Sequence, residues 1–297
     1  MNTAWPVVPR PAWLSTDVWP WDIRAIDSPA GRVAVTDTGT GPVLLLVHVG
    51  MWSLVWRDLI RRLEPDFRCV TLDAPGNGLS DRLNGSSITL ESAATAVRAV
   101  ADELELDDLT LVVHDLGGPA GIAAMAQTPH RVAGIVGINT FAWRPSGVAF
   151  RGMLRLVSSA PVRGSSAATG WLHAATSSRF GAGKSWTRME RHAFRAAFDA
   201  ERRRSTHRYL GDALHADDVF TLTEKALTGA LANTPVMTIF GQRNDPLRLQ
   251  RRWKAIFPDA VQHVVPKGNH FPMCDAPDSM AGWIKSWHAV HVRPARR

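Results

Sequence analysis

The chain has 297 residues, 45% of them hydrophobic, a formal charge of +7 and two cysteines. That is enough apolar material for one large α/β domain, or a core with an inserted module, and it argues against a disordered chain or a disulfide framework. The basic excess gathers at residues 188–204 and in the tail 293–297. The first of these stretches also carries Glu190, Asp199 and Glu201, so it reads as a solvated helix face and not as a nucleic-acid surface. No apolar run is long enough to span a membrane, and residues 1–14 mix tryptophan with proline and lack the apolar core of a signal peptide. The expectation is a soluble, cytoplasmic protein with no nucleic-acid or membrane partner.

Taken in chain order, Val43-Leu44-Leu45-Leu46-Val47 is the first continuous apolar run, the pattern of a strand buried on both faces. Residues 55–63 follow with Trp56, Leu59, Ile60 and Leu63 at helical spacing. Residues 68–72 form the next strand and end at the turn Pro75-Gly76-Asn77-Gly78. Residues 88–106 are an amphipathic helix with Ala94, Val97, Ala101 and Leu104 on one face. Leu109-Thr110-Leu111-Val112-Val113 is a strand, 132–138 another, and this alternation predicts a mostly parallel sheet with helices on both faces. From 141 to 232 the rhythm stops: the stretch is rich in Arg, Ala, Ser and Gly, with helical pieces near 188–198 and 219–231. Strands resume at 235–240 and 260–265, and a last helix covers 279–290. The predicted organisation is a core of residues 1–140 and 233–297 with a helical cap, 141–232, inserted in it.

Between the strand 109–113 and the glycines Gly117, Gly118 and Gly121 stands Val113-His114-Asp115-Leu116-Gly117. A strand, a sharp turn and a helix in this order form a nucleophile elbow, which lifts one side chain above the sheet. Here that side chain is a carboxylate. Its ester is useful when the electrophile is a saturated carbon bearing a leaving group. The elbow fold is expected to supply an acid and then a histidine from later post-strand loops. Asp245 in Gly241-Gln242-Arg243-Asn244-Asp245-Pro246 and His270 in Lys267-Gly268-Asn269-His270-Phe271 fit that order. Backbone N–H groups of Val49, in His48-Val49-Gly50-Met51-Trp52, and of Leu116 are the candidate oxyanion donors. No metal or cofactor is called for.

These motifs resemble the α/β-hydrolase superfamily. They are His48 with Trp52-Ser53-Leu54-Val55-Trp56-Arg57, the turn 73–81, the aspartate elbow, Asn139-Thr140-Phe141-Ala142-Trp143, and His270-Phe271-Pro272-Met273-Cys274-Asp275-Ala276-Pro277. More narrowly they resemble the branch holding haloalkane dehalogenases and epoxide hydrolases. The resemblance implies that Asp115 is the nucleophile, His270 the base that activates water against the covalent ester, and Asp245 its acid partner. Asn139 stands where some dehalogenases carry that acid, and an amide cannot take the charge. The substrate implied is a small apolar electrophile, with water as co-substrate.

The chain departs from the branch at the leaving group. Dehalogenases place tryptophan directly after the nucleophile, where this chain has Leu116, and the His-Gly-Asn stretch is replaced by Val49-Gly50-Met51. Trp52, Trp143, Trp171 and Trp186 are the candidate halide donors in their place, and Tyr209, with His192, His207 or an indole beside it, is the candidate donor to an epoxide oxygen. Epoxide hydrolases use two cap tyrosines, and this chain has Tyr209 alone. Three readings follow: a haloalkane dehalogenase-like hydrolase, an epoxide hydrolase, and a catalytically weak α/β-hydrolase-fold binding protein.

Overall fold

A computed structural model describes residues 5–81 and 87–292; the basic tail 293–297 lies outside them. The N-terminal part of the core contains β1 (Arg24–Ile26), β2 (Val33–Thr38), β3 (Val43–His48), α1 (Arg57–Leu63), β4 (Arg68–Leu72), α2 (Leu90–Glu103), β5 (Leu109–Asp115), α3 (Gly117–Met125) and β6 (Val132–Thr140). Six α-helices follow: α4 (Val148–Ser158), α5 (Ala160–Thr169), α6 (Trp171–Thr176), α7 (Arg188–Ala196), α8 (Ala200–Asp212) and α9 (Asp217–Thr228). The chain then returns through β7 (Val236–Gly241), α10 (Leu249–Ile256), β8 (Val261–Val265), α11 (Pro272–Asp275) and α12 (Pro277–His291).

The eight strands form one sheet in the order β1-β2-β4-β3-β5-β6-β7-β8. β1, β2 and β4 pair antiparallel, and every pair from β4 through β8 is parallel. Alternate residues of the central strands serve two cores. Leu45, Val47, Leu111 and Val113 face one side, and Leu44, Leu46 and Val112 the other. This is the period-2 consequence of a strand covered on both faces, and it explains why these strands read as unbroken apolar runs.

The helices between β6 and β7 do not all sit in one place. Residues of α4, α6 and α8 wall a cavity above the C-terminal ends of β3, β5 and β6, whereas α9 packs against α3 beside the sheet. Several bonds fasten this segment to the core. Thr206 donates to the Gly50 carbonyl (2.7 Å), the Tyr209 hydroxyl to the Pro75 carbonyl (2.7 Å), and Arg57 pairs with Glu190 (2.6 Å).

Candidate active site

The elbow is built from close packing. Asp115 sits at φ +50°, a conformation that Asp and Asn adopt more readily than bulkier residues. Its carbonyl accepts from Thr140 Oγ1 at 2.6 Å. A Cβ on Gly117 would lie 2.1 Å from the Val47 carbonyl oxygen, and one on Gly118 2.1 Å from Thr140 Oγ1. Only residues without a side chain let α3 start this close to β3 and β6, which aims Asp115 upward. Its side chain is 25% exposed, onto the cavity. The first turn of α3 lies beneath it and favours negative charge there.

His270, from the loop after β8, places Nε2 3.1 Å from Asp115 Oδ2. Burial alone would push the Asp115 carboxyl up. The hydrogen bond and charge of His270, with smaller contributions from His114 and His48, outweigh that and bring it down to about 2. Asp115 is therefore ionised throughout the neutral range.

Two donors converge on the backbone carbonyl of His270. His114 Nε2 lies 2.8 Å away and Asn139 Nδ2 2.9 Å away. Asn139 also donates to the Asn269 carbonyl (2.9 Å) and accepts from the Gly241 N–H (2.9 Å), so it ties β6, β7 and the histidine loop together. A carbonyl only accepts, so His114 carries its proton on Nε2. Its Nδ1 is then the acceptor for His48 Nδ1–H, 3.1 Å away. Both rings are held neutral. Burial pushes His48 down to about 4 and His114 well below its ordinary value.

A third buried imidazole, His173 in α6, is pushed down to about 3, mainly by burial, and bonds Thr206 Oγ1 at 3.2 Å. The consequence for stability follows from linkage. A histidine whose folded pKa lies below its unfolded value of about 6.5 binds its proton only in the unfolded chain between the two values, so stability falls as pH drops through that window. Between pH 7.5 and 5, His48 and His173 should each remove roughly 2 kcal/mol. Urea unfolding at the two pH values checks this, and a flat profile would contradict it.

Asp245, the expected acid partner, does not lie beside the His270 ring in the structure. Asp245 Oδ1 accepts from the Leu249 N–H (2.6 Å) and Oδ2 from the Gln250 N–H (3.1 Å), so both oxygens serve the start of α10. The group beside His270 Nδ1 is the side chain of Asn244, with Nδ2 3.2 Å away. Among the described residues, Asp115 holds the only carboxylate within 4.0 Å of a His270 ring nitrogen. Sequence reasoning passed over Asn244 because its neighbour has the expected charge. The start of α10 draws the carboxylate from four residues upstream, outside the ordinary N-cap position that Arg248 occupies, so no local sequence signal separates the two.

The cavity over Asp115 measures about 340 Å³. Its upper walls are apolar, with Phe150, Met153 and Leu154 of α4 and Leu210 of α8, and its floor holds Asp115, His270 and Asn244. Val49 and Leu116, the candidate oxyanion positions, both line it. The leaving-group candidates Trp52, Trp143 and Tyr209 do not. Trp52 is buried among Trp13 and Trp19, Trp143 packs on Trp253 and under Arg252, and Tyr209 spends its hydroxyl on Pro75. Two side-chain hydroxyls on the wall are also occupied: Thr206 donates to Gly50 and Thr176 to Leu172.

The family described as α/β hydrolase fold matches residues 42–277. Haloalkane dehalogenase 2 of Mycobacterium tuberculosis is 30% identical over 276 residues, covering 90% of this chain and 95% of the relative. This chain belongs to the α/β-hydrolase family, in its haloalkane dehalogenase-like branch. As an α/β hydrolase of that branch it also shares its fold with solved structures of lower identity. The haloalkane dehalogenase DbeA of Bradyrhizobium elkani aligns with a TM-score of 0.72 at 21% identity, over 90% of this chain and 98% of that one. The epoxide hydrolase CorEH aligns at 0.75 and 16% identity, over 90% and 98%. The two likenesses speak for the fold alone.

Proposed function

We propose that this hydrolase opens carbon–halogen bonds of apolar alkyl substrates through a covalent ester on Asp115. The observation that carries the reading is an ionised carboxylate on an elbow, 3.1 Å from a histidine, at the floor of an apolar cavity. An Asp115 oxygen attacks the carbon, the C–O bond forms as the C–X bond breaks, and halide departs with the electron pair. Water then adds to the ester carbonyl while His270 Nε2 takes its proton. Collapse expels the alkoxide, which recovers a proton to leave as alcohol, and one proton goes to solvent. The Val49 and Leu116 N–H groups are assigned to the carbonyl oxygen as it gains charge in this second step. Helices α4, α6 and α8 serve as the cap that excludes bulk water.

Relatives named haloalkane dehalogenase favour this over ring opening of epoxides, as does Tyr209. Tyr209 is the chain's one phenol and is committed to Pro75. A His270→Phe variant incubated with 1-bromohexane should release one equivalent of bromide and carry a hexyl ester on Asp115 by intact mass and peptide mapping. Absence of any adduct, with wild type also releasing no halide from bromo- and iodoalkanes, would overturn the reading.

A further inference from the structure

The cycle just described asks two things of His270. Nε2 must offer a lone pair to water, and the imidazolium that forms must be stabilised. In a triad a carboxylate at Nδ1 does both, since it fixes the proton on Nδ1 and faces the new positive charge. Here Nδ1 faces the amide of Asn244. With the amide nitrogen toward the ring, Nδ1 is the acceptor and the neutral tautomer carries its proton on Nε2, pointing at Asp115 Oδ2, 3.1 Å away. That tautomer suits the resting state, where it donates to the nucleophile. It cannot deprotonate water. With the amide turned over, its oxygen would accept from Nδ1–H, but it brings no charge to the imidazolium. Either orientation leaves the second step without a counter-ion.

Alkylation worsens the deficit. Before it, the Asp115 carboxylate itself is the anion beside the ring, and no other carboxylate oxygen lies within 4.0 Å of the ring nitrogens among the described residues. Esterification removes that charge when the imidazolium needs it. Asp245, next in sequence, is held by two backbone N–H groups of α10 and does not turn toward the ring. The first step does not call on His270 as a base, so the group at Nδ1 bears on the second step and not on the first. The two half-reactions are thus supported unequally.

We infer that Asn244 makes ester hydrolysis the slow half of the cycle, so that the working protein accumulates as its Asp115 alkyl ester. This rests on the alkyl-ester reading above and makes Asn244 a positioning residue acting through His270. The protein would behave as a fast alkyl acceptor and a slow hydrolase.

The test is rapid-quench bromide release from 1-bromohexane by the wild-type protein and its Asn244→Asp and Asn244→Ala variants, with intact mass at each time point. Wild type should show a burst near one bromide per protein, a slow linear phase, and the hexyl ester as the main species during that phase. Asn244→Asp should speed the slow phase by at least about tenfold while moving the burst rate constant less than about threefold, so that the ester no longer accumulates. A role in folding alone would slow both phases together, as would a cavity change, so the ratio of the two is the diagnostic. Asn244→Ala should leave the burst and keep hydrolysis at or below the wild-type rate. Linear release by wild type without ester, or a slow phase unmoved by Asn244→Asp, overturns the inference while the nucleophile assignment stands. No bromide and no ester in any of the three overturns the alkyl-ester reading, and this inference with it.

Discussion

Asp115→Asn should lower the rate of halide release by roughly 10⁴- to 10⁶-fold, the scale seen when a covalent nucleophile is removed, while leaving the protein folded. The structural reason for the intact fold is local. Asp115 occupies φ +50°, asparagine tolerates that region as well as aspartate does, and the Thr140 bond to residue 115 is made to its backbone carbonyl. The reason for the lost chemistry is electronic, because an amide oxygen does not displace halide from saturated carbon at a useful rate. Acid stability should change too. A carboxyl held at about 2 in the folded protein and near its ordinary value when unfolded contributes stability above that ordinary value, lost as pH falls toward 2. The variant should lack that contribution and so its loss between the ordinary carboxylate value and about 2, while the decline below pH 6.5 from the buried histidines remains. Bromide release, intact mass and thermal melts check the three statements. Asp115→Ala alongside guards against deamidation restoring the nucleophile. An ester still forming on another residue would show that Asp115 is not the attacking group.

The elbow was legible because sterics leave so few residues able to occupy it: Gly117 and Gly118 are required by the carbonyls of β3 and the side chain of Thr140. The parallel strands were legible for a related reason, since β3 and β5 are buried on both faces and are apolar along their middles apart from Thr110, with their histidines at the C-terminal ends. Other parts carried weaker patterns. β1 is three residues long, and β2 ends in Thr-Asp-Thr, so the antiparallel edge has no apolar run to betray it. Helix α4 buries only Leu154 among its residues, and its role in walling the cavity depends on where α5 and α8 place it. The hardest distinctions concerned which polar atom points where. Asn244 and Asp245 are adjacent in one loop, and the outcome turned on backbone N–H groups at Leu249 and Gln250 claiming the carboxylate. Trp52, Trp143 and Tyr209 looked like donors on side-chain chemistry, yet packing and one bond to Pro75 took them away from the cavity. Residue type was readable at these positions; direction was decided by neighbours far along the chain.

Gly118→Ala should destabilise the protein by about 3–5 kcal/mol, because the new methyl group meets atoms that cannot retreat. It would lie 2.1 Å from Thr140 Oγ1 and 2.3 Å from the Phe141 carbonyl oxygen. The first is a side chain already committed to the Asp115 carbonyl, and the second is backbone at the end of β6. Relief requires α3 to move away from β6 or the Thr140 bond to break, and either moves Asp115 relative to His270. The expected result is a melting temperature lower by about 6 °C or more, with ester formation slowed in whatever fraction stays folded. Gly152→Ala in α4 is the matched control: nothing lies within 4 Å of a Cβ there, and alanine is a better helix former than glycine by about 1 kcal/mol. That variant should melt at or above the wild-type temperature with alkylation unchanged. If Gly118→Ala instead melts with wild type and alkylates at the same rate, the helix is not held against β6 as described, and the placement of Asp115 does not depend on glycine at the start of α3.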